Sequence, residues 1–118
     1  MITPLRWCAR ISGLLALVIG LLLSRMPMAV LFHLHMTLGG LVVVSLLLCA
    51  LLAMGKVPAA KAAAGIGWAV VTLLVGLRQN ELLPGSMHWL IEVLHAVLGI
   101  GAIGLTEMIG AARARADK

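Results

Sequence analysis

The sequence predicts an all-α fold, an integral membrane four-helix bundle, and three observations support this prediction. Hydrophobic residues make up 63% of the 118 residues, and the mean hydropathy is +1.15. Charged residues make up 11%, whereas about a quarter of a typical soluble domain is charged. The apolar residues form four long stretches, and a helix needs roughly 20 such residues to cross the hydrocarbon core of a membrane. Residues 1–118 are therefore expected to form a single transmembrane domain in the lipid bilayer.

The first two apolar stretches predict helices at about residues 5–24 and 28–54. Arg6 and Arg10 are four residues apart in the first stretch, so they share one helix face and can extend towards lipid headgroups. Pro27 stands at the start of the second stretch, which fits the tolerance of a first helical turn for proline. The connection is short, and the two helices should therefore be antiparallel.

The other two stretches predict helices at about residues 58–77 and 86–112. The third helix is rich in alanine and glycine, and small residues let membrane helices approach each other closely. Ser86 ends the segment Leu-Pro-Gly-Ser, and it is the predicted N-cap of the fourth helix because serine hydroxyls accept hydrogen bonds from first-turn N–H groups. Short connections throughout predict an up-down-up-down bundle.

Lysine and arginine are distributed unevenly between the two predicted ends of the bundle. Two lie at one end, Arg25 and Arg78. Seven lie at the other: Arg6, Arg10, Lys56, Lys61, Arg113, Arg115 and Lys118. Cytoplasmic ends of membrane proteins carry the excess of these residues, so both termini are predicted to be cytoplasmic, in a bacterial inner membrane. Headgroup contacts also explain the net charge of +5, and no nucleic-acid partner is expected.

All four histidines fall towards the predicted outer end, in the second and fourth helices. His35 is eight residues after Pro27, and His95 is nine residues after Ser86. At ~1.5 Å per residue, these positions lie roughly 12 and 13 Å below the outer helix ends. The second and fourth helices are expected to run in the same direction, so the two imidazoles should lie at nearly equal depth. Ionisable side chains inside a membrane usually mark a functional site.

The helical periodicity separates the remaining histidines. His33 and His35 are two residues apart, so they point about 200° away from each other and only one can face the fourth helix squarely. On the fourth helix, His88, Glu92 and His95 form one stripe that is expected to face the bundle interior.

Glycines next to the deeper histidines favour haem as the ligand. Gly39 and Gly99 each lie four residues after a histidine, and a flat porphyrin needs room between helices. Imidazole is a regular axial ligand of haem iron, so His35 and His95 are predicted to hold one haem b. In this hypothesis Arg78 neutralises a haem propionate.

A second hypothesis is a membrane protein that uses these histidines and Glu92 to bind or transport a transition-metal ion. Glu92 and His95 have the Glu-x-x-His spacing that places a carboxylate and an imidazole on one helix face. His88 adds a ligand one turn away, and His33 or His35 could add another from the second helix. Such a set suits zinc, copper or nickel. In the haem hypothesis, Glu92 is instead a neighbour of a propionate or a proton carrier. A third hypothesis is a cofactor-free accessory membrane subunit.

The segments His35-Met-Thr-Leu-Gly39-Gly40 and His95-Ala-Val-Leu-Gly99 resemble small four-helix b-type cytochromes of the cytochrome b561-like kind. They cover about a tenth of the 118 residues, and the chain is also similar to small uncharacterised bacterial integral membrane proteins. The resemblance implies an electron carrier with a quinone or periplasmic redox partner, rather than a stand-alone enzyme. Those cytochromes hold haem ligands towards both membrane faces, whereas this chain has histidines only in its predicted outer half. One haem near the outer face is therefore expected. The small-residue helices also favour a homodimer.

Overall fold

A computed structural model describes residues 2–118, and in this range all regular secondary structure is helical. The four long helices are α1 (Ile2–Arg25), α2 (Ala29–Ala53), α3 (Ala59–Arg78) and α4 (Trp89–Ala116), and a short 3-10 helix (Gln79–Glu81) follows α3. All four long helices are long and apolar enough to cross a membrane. The prediction of an all-α chain with four helices suited to a membrane is confirmed.

Several helix ends differ from the sequence prediction. α1 already begins at Ile2, and α4 begins at Trp89 instead of Ser86. Ser86 lies in a separate turn, closed by the N–H of His88 donating to the carbonyl of Gly85 at 3.1 Å. Gly85 has a φ of +97°, which glycine adopts without steric cost and which keeps this turn out of the helix. His88 therefore takes the N-cap position, and the prediction of Ser86 as N-cap is wrong.

α2 and α4 form the centre of the bundle. Each of them packs against all three other long helices, whereas α1 and α3 make no mutual contact within residues 2–118. Leu46 and Cys49 of α2 and Thr106 and Ile109 of α4 are fully buried between the helices. The sulfhydryl of Cys49 lies 3.6 Å from the carbonyl oxygen of Thr106, and this cysteine is free of a disulfide bond.

Small residues bring α3 close to its two neighbours. A Cβ added to Gly65 would lie 2.6 Å from Cδ1 of Ile109 and 3.1 Å from Cβ of Ala50. Further along α3, Nε1 of Trp68 donates a hydrogen bond to the carbonyl of Leu98 at 2.8 Å. These contacts have the close approach expected of small-residue faces in membrane helices.

The outer surface of the bundle is apolar along most of its length. Large hydrophobic side chains such as Leu21, Val30, Leu74 and Ile100 are more than half exposed. A water-soluble domain of this size would leave such a surface uncovered, whereas lipid acyl chains cover it in a membrane. The exposed apolar surface and the helix lengths together support a membrane protein.

Candidate functional site

His35 of α2 and His95 of α4 face each other inside the bundle. Their ring centroids are 6.0 Å apart, and the ring planes are inclined by 66°. Both side chains are only partly exposed. The contact arises because α2 and α4 lie across the centre of the bundle, where equal depth brings the two imidazoles together.

A hydrogen bond to α1 orients the imidazole of His35. Its Nδ1 lies 2.9 Å from the carbonyl oxygen of Ala16. A carbonyl oxygen only accepts hydrogen bonds, so Nδ1 carries the proton and the lone pair is left on Nε2. One turn later on α1, a Cβ added to Gly20 would lie 3.0 Å from Cε1 of the same ring. α1 therefore sets both the tautomer and the position of His35.

The imidazole of His95 contacts α3 in a similar way. A Cβ added to Gly76 would lie 2.8 Å from Cε1 of His95. Nδ1 of His95 is buried and has no hydrogen-bond partner among residues 2–118. Buried polar atoms are nearly always paired with protein or water, so this nitrogen has the capacity to bind a further group.

Two different pairs of glycines surround the imidazoles. Gly20 and Gly76 touch the rings directly, and the sequence analysis missed both. Each glycine lies on the helix that precedes the helix of its histidine. The glycine and the histidine are separated from the connection between these two helices by about the same number of residues, and this spacing could have identified both glycines. At Gly39 and Gly99, an added Cβ would have no heavy atom of the described chain within 4 Å apart from its chain neighbours and its own helix backbone. Their role beside a haem remains a prediction.

The other predicted metal ligands do not join this pair. His33 is exposed and packs edge-on against the Phe32 ring, with centroids 5.8 Å apart. Nδ1 of His88 lies 3.1 Å from the carbonyl oxygen of Leu82, and Glu92 is exposed. Residues 2–118 contain no group of three or more histidine, cysteine or acidic side chains that could hold a metal ion. The arrangement needed for the zinc, copper or nickel hypothesis is thus not assembled in this part of the chain.

Arg78 is engaged at the outer end of α3. Its Nη1 lies 2.7 Å from Oε2 of Glu81, and both side chains are about two-thirds exposed, at 66% and 65%. Such exposed pairs contribute little to stability, typically about 0–1 kcal/mol, so the Arg78 guanidinium is easily released to another anion.

A second charged cluster joins α1 to α4 at the opposite end of the bundle. Oε2 of Glu107 accepts hydrogen bonds from Nε and Nη2 of Arg6, at 3.1 and 2.8 Å. Both carboxylate oxygens also accept from Arg10, each at 2.6 Å. Arg6 and Arg10 of α1 therefore both bind Glu107 of α4.

Arg113 makes its contacts nearer the end of α4. It donates from Nε to the carbonyl of Leu52 at 3.0 Å and forms an ion pair with Asp117. Its hydrogen bond keeps the pKa of the Asp117 carboxyl below its usual value, with Lys56 adding to the effect. An open cavity of about 460 Å³ borders Arg113 and Asp117, remote from the paired histidines.

The separation of the two imidazoles fits a shared metal centre. A metal bonded to one nitrogen of each ring at about 2.0–2.1 Å would place the ring centroids roughly 5–6.5 Å apart, depending on the bond angle. The observed 6.0 Å lies within this range. The centroid distance alone would allow one metal centre between the two rings.

Comparisons of this chain with protein-family models, with curated proteins and with solved structures find no match.

Proposed function

We propose that this protein is a small membrane b-type cytochrome, in which His35 and His95 hold one haem b near the outer face. The observation that carries the proposal is the pair of imidazoles with ring centroids 6.0 Å apart inside the bundle. Structural zinc sites take four protein ligands, whereas a porphyrin supplies four nitrogens of its own and leaves two axial positions for histidines. A site with two imidazoles therefore suits haem better than a bare ion.

The surroundings of both histidines support this assignment. Histidines that bind metals usually donate their second ring N–H to a carbonyl or carboxylate, as His35 does to Ala16. The buried Nδ1 of His95 has no partner within residues 2–118, which leaves it available for a bond. Open space beside Gly39 and Gly99 adds room along the same helix faces.

Haem bound at this site would supply one-electron redox chemistry. The two imidazoles would bind the haem, and the Ala16 carbonyl would orient the His35 ring. The surrounding apolar side chains would lower the local dielectric constant. Arg78 forms an exposed ion pair with Glu81, and it could leave that pair to neutralise a haem propionate. The exposed Glu92 lies one turn before His95 and could carry protons to the site. The redox partner is a quinone or a periplasmic protein.

The proposed arrangement in the membrane is an up-down-up-down bundle with both termini in the cytoplasm of a bacterium. The excess of lysine and arginine at that end supports the orientation. The ion pairs of Glu107 support the topology, because they place the start of α1 beside the end of α4. The small-residue faces of the helices favour a homodimer in the inner membrane.

An absorption spectrum of the detergent-purified protein, with and without dithionite, tests the haem proposal. We expect a Soret band and a reduced-minus-oxidised difference in the wild type. Both should be lost in His35→Ala and in His95→Ala. The matched controls are His33→Ala and His88→Ala, which remove histidines outside the pair and should retain the spectrum.

Two other outcomes would replace the proposal. A colourless protein with stoichiometric zinc, copper or nickel that is lost in Glu92→Gln would establish the metal-ion hypothesis. A colourless protein, even after growth with added haem, that folds normally with all four histidines replaced would establish a cofactor-free accessory subunit.

A further inference from the structure

The cluster of Arg6, Arg10 and Glu107, called here the basic cluster, carries an unmatched positive charge. Two guanidiniums share one carboxylate, with nitrogen–oxygen distances of 2.8 Å for Arg6 and 2.6 Å for Arg10. Within residues 2–118, no second acidic side chain forms an ion pair with either arginine. The basic cluster therefore has a net charge of one positive unit.

The basic cluster lies at the edge of the apolar layer. Arg10 is eight residues from the start of α1, and Glu107 is nine residues from the end of α4. These spacings correspond to about 12 and 14 Å along the helices. α4, with 28 residues, is about 42 Å long, whereas the hydrocarbon core is about 30 Å thick. Glu107 therefore falls inside the apolar layer, where an uncompensated charge is costly.

The two arginines retain hydrogen-bonding capacity after binding Glu107. Each guanidinium has five N–H donors, and the bonds to the carboxylate use two from each arginine. Oε2 of the carboxylate accepts three of these bonds and Oε1 accepts one. Three donors on each arginine have no partner among the described residues, and a planar guanidinium presents them in a geometry that matches phosphate oxygens.

The basic cluster is open towards the surroundings on the α1 side. The side chain of Arg10 is 36% exposed, and its guanidinium carbon lies 4.7 Å from the ring centroid of Trp7. Trp7 is itself 55% exposed, and tryptophan is enriched at the level of lipid headgroups. On the inner side, a Cβ added to Gly110 would lie 2.6 Å from Cδ of Arg6, so the Arg6 stem packs directly on α4. The Arg6 side chain therefore packs against α4 inside the bundle, and the Arg10 side chain is accessible to lipid.

We propose that the basic cluster binds the phosphate of an anionic phospholipid, such as phosphatidylglycerol. The lipid supplies the missing negative charge at headgroup level, where the arginine side chains extend upward from the apolar layer, and its phosphate oxygens accept the unused N–H groups. Trp7 then packs beside the headgroup. This inference is independent of the paired histidines, since it uses other residues at the other end of the bundle.

Native mass spectrometry of the detergent-solubilised protein tests the lipid site. The wild type should retain dioleoylphosphatidylglycerol more strongly than dioleoylphosphatidylcholine, which has the same acyl chains and a zwitterionic headgroup. Arg10→Gln should bind the anionic lipid about tenfold more weakly, because it removes a guanidinium that makes charge-assisted hydrogen bonds to the phosphate. The matched control is Arg115→Gln, which removes one exposed arginine at the same end and should change binding less than twofold.

Three results would overturn the lipid site. The first is equal binding of both lipids by the wild type, a measurement that needs no variant. Arg10→Gln and Arg115→Gln could weaken binding to the same degree, which would indicate diffuse charge attraction instead of a site. If Arg10→Gln does not fold, Arg10→Lys keeps the charge but loses the planar donor set, and wild-type affinity in that variant would also contradict the proposal.

Discussion

Two glycines determine where the imidazoles can lie. Gly20 of α1 touches the ring of His35, and Gly76 of α3 touches the ring of His95, each at a distance that leaves no room for a methyl group. A larger residue at either position would push the ring away from its helix and change the separation of the two imidazoles. The lack of a side chain at Gly20 of α1 and Gly76 of α3 therefore influences the geometry of the two imidazoles on α2 and α4.

Gly76→Ala adds one methyl group and tests whether Gly76 restricts the position of the His95 imidazole. The added Cβ would lie 2.8 Å from Cε1 of His95, and such overpacking typically costs about 1–3 kcal/mol. The better helix propensity of alanine offsets up to about 1 kcal/mol of that cost. We expect a lower melting temperature in detergent and a weaker Soret band.

The control for this prediction is Gly67→Ala on the same helix. A Cβ added there would have no heavy atom of the described chain within 4 Å, so the substitution should leave the melting temperature unchanged or raise it. Equal stability of Gly76→Ala and Gly67→Ala would show that Gly76 does not restrict the imidazole.

Sequence periodicity could identify the paired histidines but not their contacts. Equal depth on the second and fourth helices favoured His35, rather than the shallower His33, as the partner of His95. The spacing showed that only one of His33 and His35 could face α4, but choosing between them requires the rotation of α2 about its axis, which neighbouring helices set. The contacts of Gly20 and Gly76 depend on the crossing geometry of helix pairs, which no local pattern encodes.

At the scale of the elements, α4 is joined to each neighbour by a polar contact at a different level. His95 meets α2, the carbonyl of Leu98 accepts from Trp68 of α3, and Glu107 binds two arginines of α1. Polar contacts between membrane helices fix the depth of one helix relative to the next, because a shifted helix leaves polar groups unpaired in an apolar layer. The contact between α1 and α4 is the most polar of the three.

Glu107→Gln tests how much the contact between α1 and α4 contributes. A glutamine keeps the length of the side chain but removes the charge that both arginines bind, and charge-assisted bonds are about twice as strong as neutral ones. We expect the melting temperature to fall by roughly 5 °C. The measurement is thermal unfolding in detergent, followed by circular dichroism.

Glu81→Gln is the matched control, since Glu81 pairs with Arg78 on the surface, where both side chains are about 65% exposed. Its melting temperature should differ from the wild type by less than about 1 °C. An equally small change in Glu107→Gln would mean that the two arginines do not fix the position of α1.

The number and order of helices followed directly from the four apolar stretches, because each is long enough for a crossing. The ends were harder to predict. The start of α4 depends on the turn at Gly85, where a φ of +97° closes a separate hydrogen-bonded turn before the helix. The partners of Glu107 depend on which helix faces α4 at that depth, and a charge count along the chain cannot supply this information.

At the scale of the whole molecule, charge and apolar surface are segregated. The bundle is 49 Å long, with exposed leucine and valine along its length. Seven of the nine basic residues lie near the start of α1, in or next to the connection between α2 and α3, or near the C-terminal end of α4. This distribution is the basis of the proposed orientation in the membrane.

Reporter fusions test the proposed orientation. A green fluorescent protein fused after Lys118 should be fluorescent, and an alkaline phosphatase fused there should be inactive, because both outcomes require a cytoplasmic C-terminus. Alkaline phosphatase inserted between α3 and α4, after Leu83, should instead be active. An active phosphatase at the C-terminus together with an inactive one after Leu83 would reverse the orientation and move the paired histidines to the cytoplasmic side.

The contacts of Gly20 with His35 and of Gly76 with His95 also divide the bundle into two halves. Each half consists of two consecutive helices, one that carries the imidazole and one that carries the glycine beneath it. Motion within a half leaves its own ring in place, whereas a tilt of one half against the other changes the distance between the rings. The distance between the two rings therefore depends on how the halves dock, and any partner that shifts their docking would change that distance.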